Sequence, residues 1–286
     1  MSANQPSQTL MKDMHAAMPG EIKSWAEYLA FADQAERAGH HELAQVWTAI
    51  SHVERYDHFY HQAELAGFLQ QDNAQNVQQA MNLAQQHHDQ YQQYAQQASS
   101  AGEREAANLF NQLADDEKQA RDRFNQALRA LQSNGQVPSA PEVQQSKIQQ
   151  GKPSVQGQTH QNLKDTMKMT AYASGLYWLF ARRAVTSVQP DLGALLLSAA
   201  EQEMHDHFAR AANLAGLVGS TEENLHESIK GETTAHRQYA NAAHDAQQSG
   251  NQHAHRFFQG AAADEDHHKQ DFEIFLQRLT GQKTAA

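Results

Sequence analysis

Glu265 and His268 lie inside the apolar stripe of a predicted helix, where ionisable side chains are rare. Burying such a pair is costly unless an opposite charge compensates it. A glutamate and a histidine three residues apart lie on one helical turn, and helix bundles use such pairs to hold iron or manganese from inside. The pair therefore predicts a metal site. The stripe has the 3–4 spacing of one helix face: Phe258, Ala261, Glu265, His268, Phe272, Phe275 and Leu279.

The same pattern recurs because the chain contains two related halves. Five landmarks return 148 residues later, and a second set returns at an offset of 149. The sequence therefore predicts a duplicated unit. The first set is Tyr91, Gly102, Phe110, Glu117 and Phe124, which correspond to Tyr239, Gly250, Phe258, Glu265 and Phe272. The second is Tyr28, Glu54, Asp57 and His58, which correspond to Tyr177, Glu203, Asp206 and His207.

Each half is predicted to hold two helical hairpins, whose tips carry turn residues. Gly39, Gly102 and Gly250 suit the position after a helix end, and Pro190-Asp191 is assigned the same role at the remaining tip. The predicted hairpins are 20–38 with 41–69, 74–101 with 103–131, 160–187 with 191–217, and 221–249 with 251–280. The predicted organisation is an arm (1–19), a first repeat (20–131), a proline-containing linker (132–158) and a second repeat (159–281).

Composition narrows the class of protein. The 286 residues are 40% hydrophobic and include only six prolines, which favours an all-α protein. No apolar run is long enough to span a membrane and no secretory signal is visible, so a cytoplasmic location is expected. A net charge of −11 argues against a nucleic-acid partner. The absence of cysteine excludes disulfides and thiolate metal sites.

The landmarks resemble those of rubrerythrins, within the ferritin-like superfamily. Gly20-Glu21, Tyr28, Phe31-Ala32, Gly39 and Glu54 match that family's first hairpin in type and spacing. Glu223, Gly231-Glu232, Gly250 and the Glu265–His268 pair resemble its second hairpin. The resemblance covers nearly everything except the arm and the linker. It implies ferritin-like four-helix bundles with a metal site in the core.

The resemblance assigns ligand roles to two sets of positions. Asp57 falls where the family has a histidine, and His58, one residue later, is the alternative ligand. The other hairpins match less well, because Thr170, Ala84 and Ala120 replace ligands; His87, His88 and His236 lie near this level without a matching position. The first implied set is Glu21, Glu54, Asp57, Glu232, Glu265 and His268. The second, weaker set is Glu117, Glu203 and Asp206.

Loop length predicts which hairpins share a bundle. A ferritin-like site needs a crossover along the whole bundle between its second and third helices. Helices of about 28 residues are roughly 40 Å long. The loops at 70–73 and 218–220 reach only about 15–20 Å when extended. The hairpins are therefore predicted to be exchanged between the halves, the first pairing with the fourth and the second with the third. This places the fuller ligand set in one bundle.

The sequence thus favours a di-iron oxidoreductase, with manganese as the alternative metal. Two metal ions in the composite bundle would reduce peroxide or oxidise ferrous iron, with electrons from an external donor. The chain has no rubredoxin segment, and Ala235 stands where rubrerythrins carry a further glutamate, which weakens the expectation of family-type peroxidase chemistry. The competing hypothesis is a non-enzymatic metal-binding or structural helical protein with eroded sites. A monomer that mimics a swapped dimer, or a homodimer, is expected.

Overall fold

The computed structural model describes residues 8–284, and these residues form helices without any β-strand. The fold is all-α, as predicted. Two helices contain a π-helical turn that joins two α-helical segments. The elements are α1 (Gln8–Arg37), α2 (His41–Val53), π1 (Glu54–Phe59), α3 (Tyr60–Leu65), α4 (Asn73–Ser100), α5 (Arg104–Ser133), α6 (Gly157–Thr186), α7 (Pro190–Gln202), π2 (Glu203–Phe208), α8 (Ala209–Ala215), α9 (Thr221–Gln248) and α10 (Gln252–Thr284).

Two compact units divide the chain. Unit 1 combines the segment up to Phe68 with the segment from Val218, so it contains the first and fourth hairpins. Here α1 packs against α2 and α9, and α9 packs against α10. Unit 2 is the continuous segment Leu69–Leu217, in which α4 packs against α5 and α6, and α6 packs against α7. Each unit is therefore built from two helical hairpins.

The first helix begins earlier than the sequence predicts. An arm was expected to precede a helix starting at residue 20, but α1 already begins at Gln8 and contains Pro19. Leu10 and Met14 are fully buried in a cluster with residues of α9 and α10. This burial offsets the cost of extending the helix. Residues 1–7 of the predicted arm lie outside the described residues.

Three hairpin tips have the predicted glycine in the left-handed conformation, with φ between 73° and 82° at Gly39, Gly102 and Gly250. The fourth tip differs from the prediction. Val188, not the Pro190-Asp191 pair, adopts the left-handed conformation with φ of 63°, and Pro190 instead begins α7. A β-branched residue is unfavourable there because its Cβ crowds the backbone.

The linker between the repeats lies along unit 2. α5 ends at Ser133 and α6 begins at Gly157, and the intervening chain is non-helical. The amide of Ser146 donates to the carbonyl of His205 at 2.7 Å, and that of Ser154 donates to Leu214 at 3.0 Å. These hydrogen bonds provide partners for backbone amides of a segment that has no regular hydrogen bonding of its own.

No helix within residues 8–284 combines the length and apolarity needed to cross a membrane.

Candidate metal centre

Unit 1 encloses a buried cluster of carboxylates and imidazoles contributed by four helices. One group of ligand atoms comes from Glu21, Glu54, His58 and Glu265, and a second from Glu54, Glu232, Glu265 and His268. All six side chains belong to buried residues. Glu54 and Glu265 belong to both groups, so the cluster has two neighbouring positions that share two carboxylates.

The distances within the cluster suit ligand atoms gathered around ions. His58 Nδ1 lies 3.2 Å from a Glu265 oxygen and 3.5 Å from a Glu21 oxygen. His268 Nδ1 lies 3.5 Å from Glu54 and 3.7 Å from both Glu232 and Glu265. Ligands at about 2.0–2.2 Å from one metal are themselves separated by roughly 3 Å or more. The spacing therefore fits two metal positions.

Several of these atoms have no hydrogen-bond partner among the described residues. They include both oxygens of Glu265, Glu54 Oε1, Glu21 Oε2, and the Nδ1 atoms of His58 and His268. A buried polar atom without a partner is costly, and native proteins rarely leave such atoms unpaired. Metal ions would satisfy these atoms together, so the residues present fit a dimetal site.

The π1 turn explains why His58 belongs to the cluster and Asp57 does not. A π-helical turn closes i→i+5 hydrogen bonds and so contains an extra residue. His58, four residues after Glu54, therefore returns to the same face as Glu54. Asp57 is exposed and pairs with His61 at 2.7 Å. The interpretation of Asp57 as a ligand was wrong, and the alternative His58 takes its place.

Tyr28 and Asp264 lie outside the cluster and approach two of its members. Tyr28 donates its hydroxyl to Glu232 Oε1 at 2.5 Å, which leaves the other oxygen of Glu232 facing His268. Asp264 lies 3.5 Å from His58 Nε2, on the side of the ring opposite Nδ1. Carboxylate partners of this kind commonly fix the ring of a metal-binding histidine.

The electrostatics of the cluster favours positive charge beside its carboxylates. Burial raises the pKa of Glu21 well above its usual value, and the charge of Glu54 raises it further. Burial opposes protonation of His268, but the nearby carboxylates of Glu232, Glu265 and Glu54 outweigh it and raise the pKa to about 12. Protonated imidazoles thus neutralise the carboxylates when no metal is bound, and divalent ions would neutralise the same carboxylates when bound.

Unit 2 has a smaller cluster at the corresponding place. His87, Glu117 and Glu203 are buried with their ligand atoms close together, and His87 Nδ1 lies 3.2 Å from Glu117 Oε1. His207 Nδ1 lies 3.2 Å from Glu203 Oε2. Burial lowers the pKa of His87 to about 4, so its imidazole is neutral near pH 7. Glu117 and Glu203 thus lie together in this cluster.

Asp206, the third residue of the predicted second set, lies elsewhere. It groups with Asp116 and His207, pairs with Arg210 at 3.3 Å, and accepts a hydrogen bond from Ser146 at 3.1 Å. Like Asp57, it follows a glutamate by three residues within a π-helical turn, which turns it away from that glutamate. Its interpretation as a ligand beside Glu117 and Glu203 was wrong.

The sequence contained evidence for the cluster histidines that the predicted ligand sets omit. His58 and His207 both follow their glutamate by four residues and correspond at the offset of 149. His87 corresponds at the offset of 148 to Ala235, the place of the additional rubrerythrin carboxylate. Sequence spacing alone could not select His58 and His207, because it does not distinguish an α-helical turn from a π-helical one.

Buried glutamates and histidines inside four-helix bundles define a ferritin-like protein. The chain belongs to the rubrerythrin family, which it matches over residues 75–215 and 223–285. It is also 32% identical over 105 residues to an uncharacterized protein of Methanocaldococcus jannaschii, a stretch that covers 36% of this chain and 74% of that protein. No solved structure matches the chain.

Proposed function

We propose that unit 1 is a dimetal oxidoreductase centre that binds two iron ions, or two manganese ions, and reduces peroxide or oxidises ferrous iron. The observation that carries this proposal is the pair of ligand groups that share Glu54 and Glu265. Shared carboxylates allow two ions to lie side by side in one buried site. Membership of the rubrerythrin family supports the same chemistry.

Charge and donor type support iron or manganese. The six ligands are four glutamates and two histidines. Four carboxylates balance the charge of two divalent ions, which removes most of the cost of burying them. A donor set rich in carboxylate oxygen, with few imidazoles and no thiolate, suits these metals better than copper.

The residues of unit 1 would position the two metal ions and limit their contact with water. Two ferrous ions bound there would supply the two electrons that, with two protons, reduce one hydrogen peroxide to two waters. Tyr28 fixes the orientation of Glu232 through its hydroxyl. The ring of Tyr239 packs against that of His58 with centroids 5.5 Å apart, and Phe59 is fully buried nearby in π1. These rings limit the access of bulk water to the ligands.

The corrected ligand set changes the expected reactivity. Asp57 would have placed an additional anion at one metal and favoured its ferric state. His58 supplies a neutral donor instead, so this reason for slow turnover disappears. Ala235 still removes a carboxylate that could follow a metal between oxidation states. Because the chain belongs to the rubrerythrin family, we expect peroxide to oxidise the ferrous centre faster than dioxygen does, with an external donor returning the electrons.

Stopped-flow absorbance tests the proposal. The metal-free protein is loaded anaerobically with ferrous iron and mixed with hydrogen peroxide or with dioxygen. Rapid ferric absorbance is expected with peroxide, at two irons for each peroxide consumed. The Glu265→Ala variant removes a carboxylate shared by both positions and should lose the signal, whereas Asp57→Ala should retain it. A wild-type ferrous centre that stays unchanged through many equivalents of peroxide would favour the non-enzymatic metal-binding alternative.

A further inference from the structure

We infer that unit 2 is a second metal site of a different kind, which binds a single divalent transition-metal ion through His87, Glu117 and Glu203, with His207 contacting Glu203. The site does not depend on the activity proposed for unit 1. It differs from the dimetal centre in the number of ions and in the origin of one ligand. His87 lies on α4, at a position where unit 1 has Ala235.

Unit 2 lacks counterparts of three of the six ligands of unit 1. The three ligands of unit 1 without a counterpart are Glu21, Glu232 and His268, which correspond to Thr170, Ala84 and Ala120. Thr170 and Ala84 are fully buried. The two shared carboxylates of unit 1 keep their counterparts, Glu203 and Glu117. Unit 2 has therefore lost three of the six residues and kept the counterparts of the two shared carboxylates and of His58.

The remaining charges fit one ion. Glu117 and Glu203 together balance one divalent cation, as the four glutamates of unit 1 balance two. His87 adds a neutral nitrogen donor whose Nδ1 lies 3.2 Å from Glu117. His207 contributes a nitrogen 3.2 Å from Glu203. One imidazole and two carboxylates, with His207 contacting one of these carboxylates, are a donor set that suits a single transition-metal ion.

Buried atoms without partners point into this site. Glu117 is only 1% exposed, and its Oε2 has no hydrogen-bond partner among the described residues. The hydroxyl of Tyr91, fully buried beside His87, likewise has none, and the two rings have centroids 5.9 Å apart. In unit 1 the corresponding Tyr239 bonds to Gln62, whose counterpart is Ala211. A metal ion would satisfy the Glu117 oxygen, and a water bound to that ion would give Tyr91 a partner.

Counting bound metal tests the inference in the full chain. Metal-free protein is loaded with Co(II), passed through a desalting column, and analysed for cobalt per chain. Three ions are expected in the wild type and two in His87→Ala. His88→Ala is the matched control, because His88 lies on the same helix but directs its Nδ1 to the carbonyl of Ala114 at 2.8 Å. It should retain three ions.

A second pair of variants separates this site from unit 1. Glu265→Ala should leave one ion, and adding His87→Ala to it should leave none. If His87→Ala lowers the helical circular dichroism, the near-isosteric Glu203→Gln replaces it and should also lose one ion. Equal cobalt in His87→Ala and His88→Ala, both with native helicity, would overturn the inference. So would a Glu265→Ala protein that binds no cobalt, whatever its wild-type parent binds.

Discussion

Units 1 and 2 contain helical hairpins that correspond in sequence, yet they differ in how many candidate ligands they contain. Unit 1 has four glutamates and two histidines around two neighbouring positions. Unit 2 retains the two central glutamates and gathers His87 and His207 around them. The tyrosine near each site also differs in its hydrogen-bond partner. Tyr28 bonds to the ligand Glu232, whereas the corresponding Tyr177 donates only to the backbone carbonyl of Ala80.

This difference shows that the hydrogen bond from the tyrosine disappears with the glutamate, although the tyrosine itself remains. In unit 2, Ala84 replaces the glutamate that corresponds to Glu232. Tyr177 therefore has no carboxylate to bond, and its hydroxyl donates to a backbone carbonyl of α4, the helix that contains Ala84. The aromatic core does not change in this way: Phe272 packs on Tyr28, and Phe124 packs on Tyr177. Packing maintains the bundle in both units, and the metal ligands vary within it.

The largest expected effect concerns the pairing of hairpins. A fragment of residues 69–217 contains all four helices of unit 2 and should fold into a helical monomer with cooperative thermal unfolding. A fragment of residues 20–131 contains one hairpin of each unit, so its apolar faces lack their partners. It should unfold without cooperativity or associate. Circular dichroism and sedimentation measure both, and a stable monomeric 20–131 bundle would contradict the exchange of hairpins.

The second-largest expected effect is the difference in metal binding between variants of two adjacent residues of π1. His58→Ala should weaken metal binding in unit 1 by more than the roughly 10- to 100-fold that loss of an outer partner costs, since a direct ligand is removed. Asp57→Ala should leave binding unchanged because Asp57 is exposed. Competition with a metal indicator of known affinity measures both. Equal losses in the two variants would mean that π1 does not select the histidine.

A smaller effect is expected from removing single hydroxyls. Tyr28→Phe should lower the metal affinity of unit 1 by about 10-fold, because Glu232 loses the donor that fixes its orientation. Tyr177→Phe is the matched control in unit 2, where the hydroxyl contacts only a backbone carbonyl, and should change metal affinity little. The same indicator competition applies. An unchanged affinity in Tyr28→Phe would leave that hydroxyl without a role in positioning the ligand.

The smallest effect concerns one hairpin tip. Gly39 and Val188 occupy corresponding positions with positive φ, but only glycine adopts this conformation without strain. Val188→Gly should therefore raise the free energy of unfolding of unit 2 by about 1 kcal/mol. Urea denaturation of the full chain and of the 69–217 fragment measures the change. A destabilised variant would indicate that the exposed valine side chain makes a compensating contact.

Much of the architecture could be read from the sequence. Period and composition predicted the helices, and the glycines placed three of the four tips. The repeat offsets and the family resemblance selected five of the six candidate ligand residues that the unit 1 cluster brings together: Glu21, Glu54, Glu232, Glu265 and His268. The reach of the short loops predicted that the first and fourth hairpins share a bundle, which the fragment experiment tests, and Phe68 and Val218 bound the two segments of unit 1. These features depend on local pattern and chain length.

Tertiary structure decided the rest. The beginning of α1 depends on the burial of Leu10 and Met14 against distant helices. The choice of His58 over Asp57 depends on a π-helical turn, which differs from an α-helical turn by the partner of a few backbone hydrogen bonds. The contribution of His87 depends on which side chains α5 and π2 bring to it. Residue types therefore determined that these helices could carry metal ligands, whereas packing between helices determined which side chains meet, because local propensity does not encode those distances.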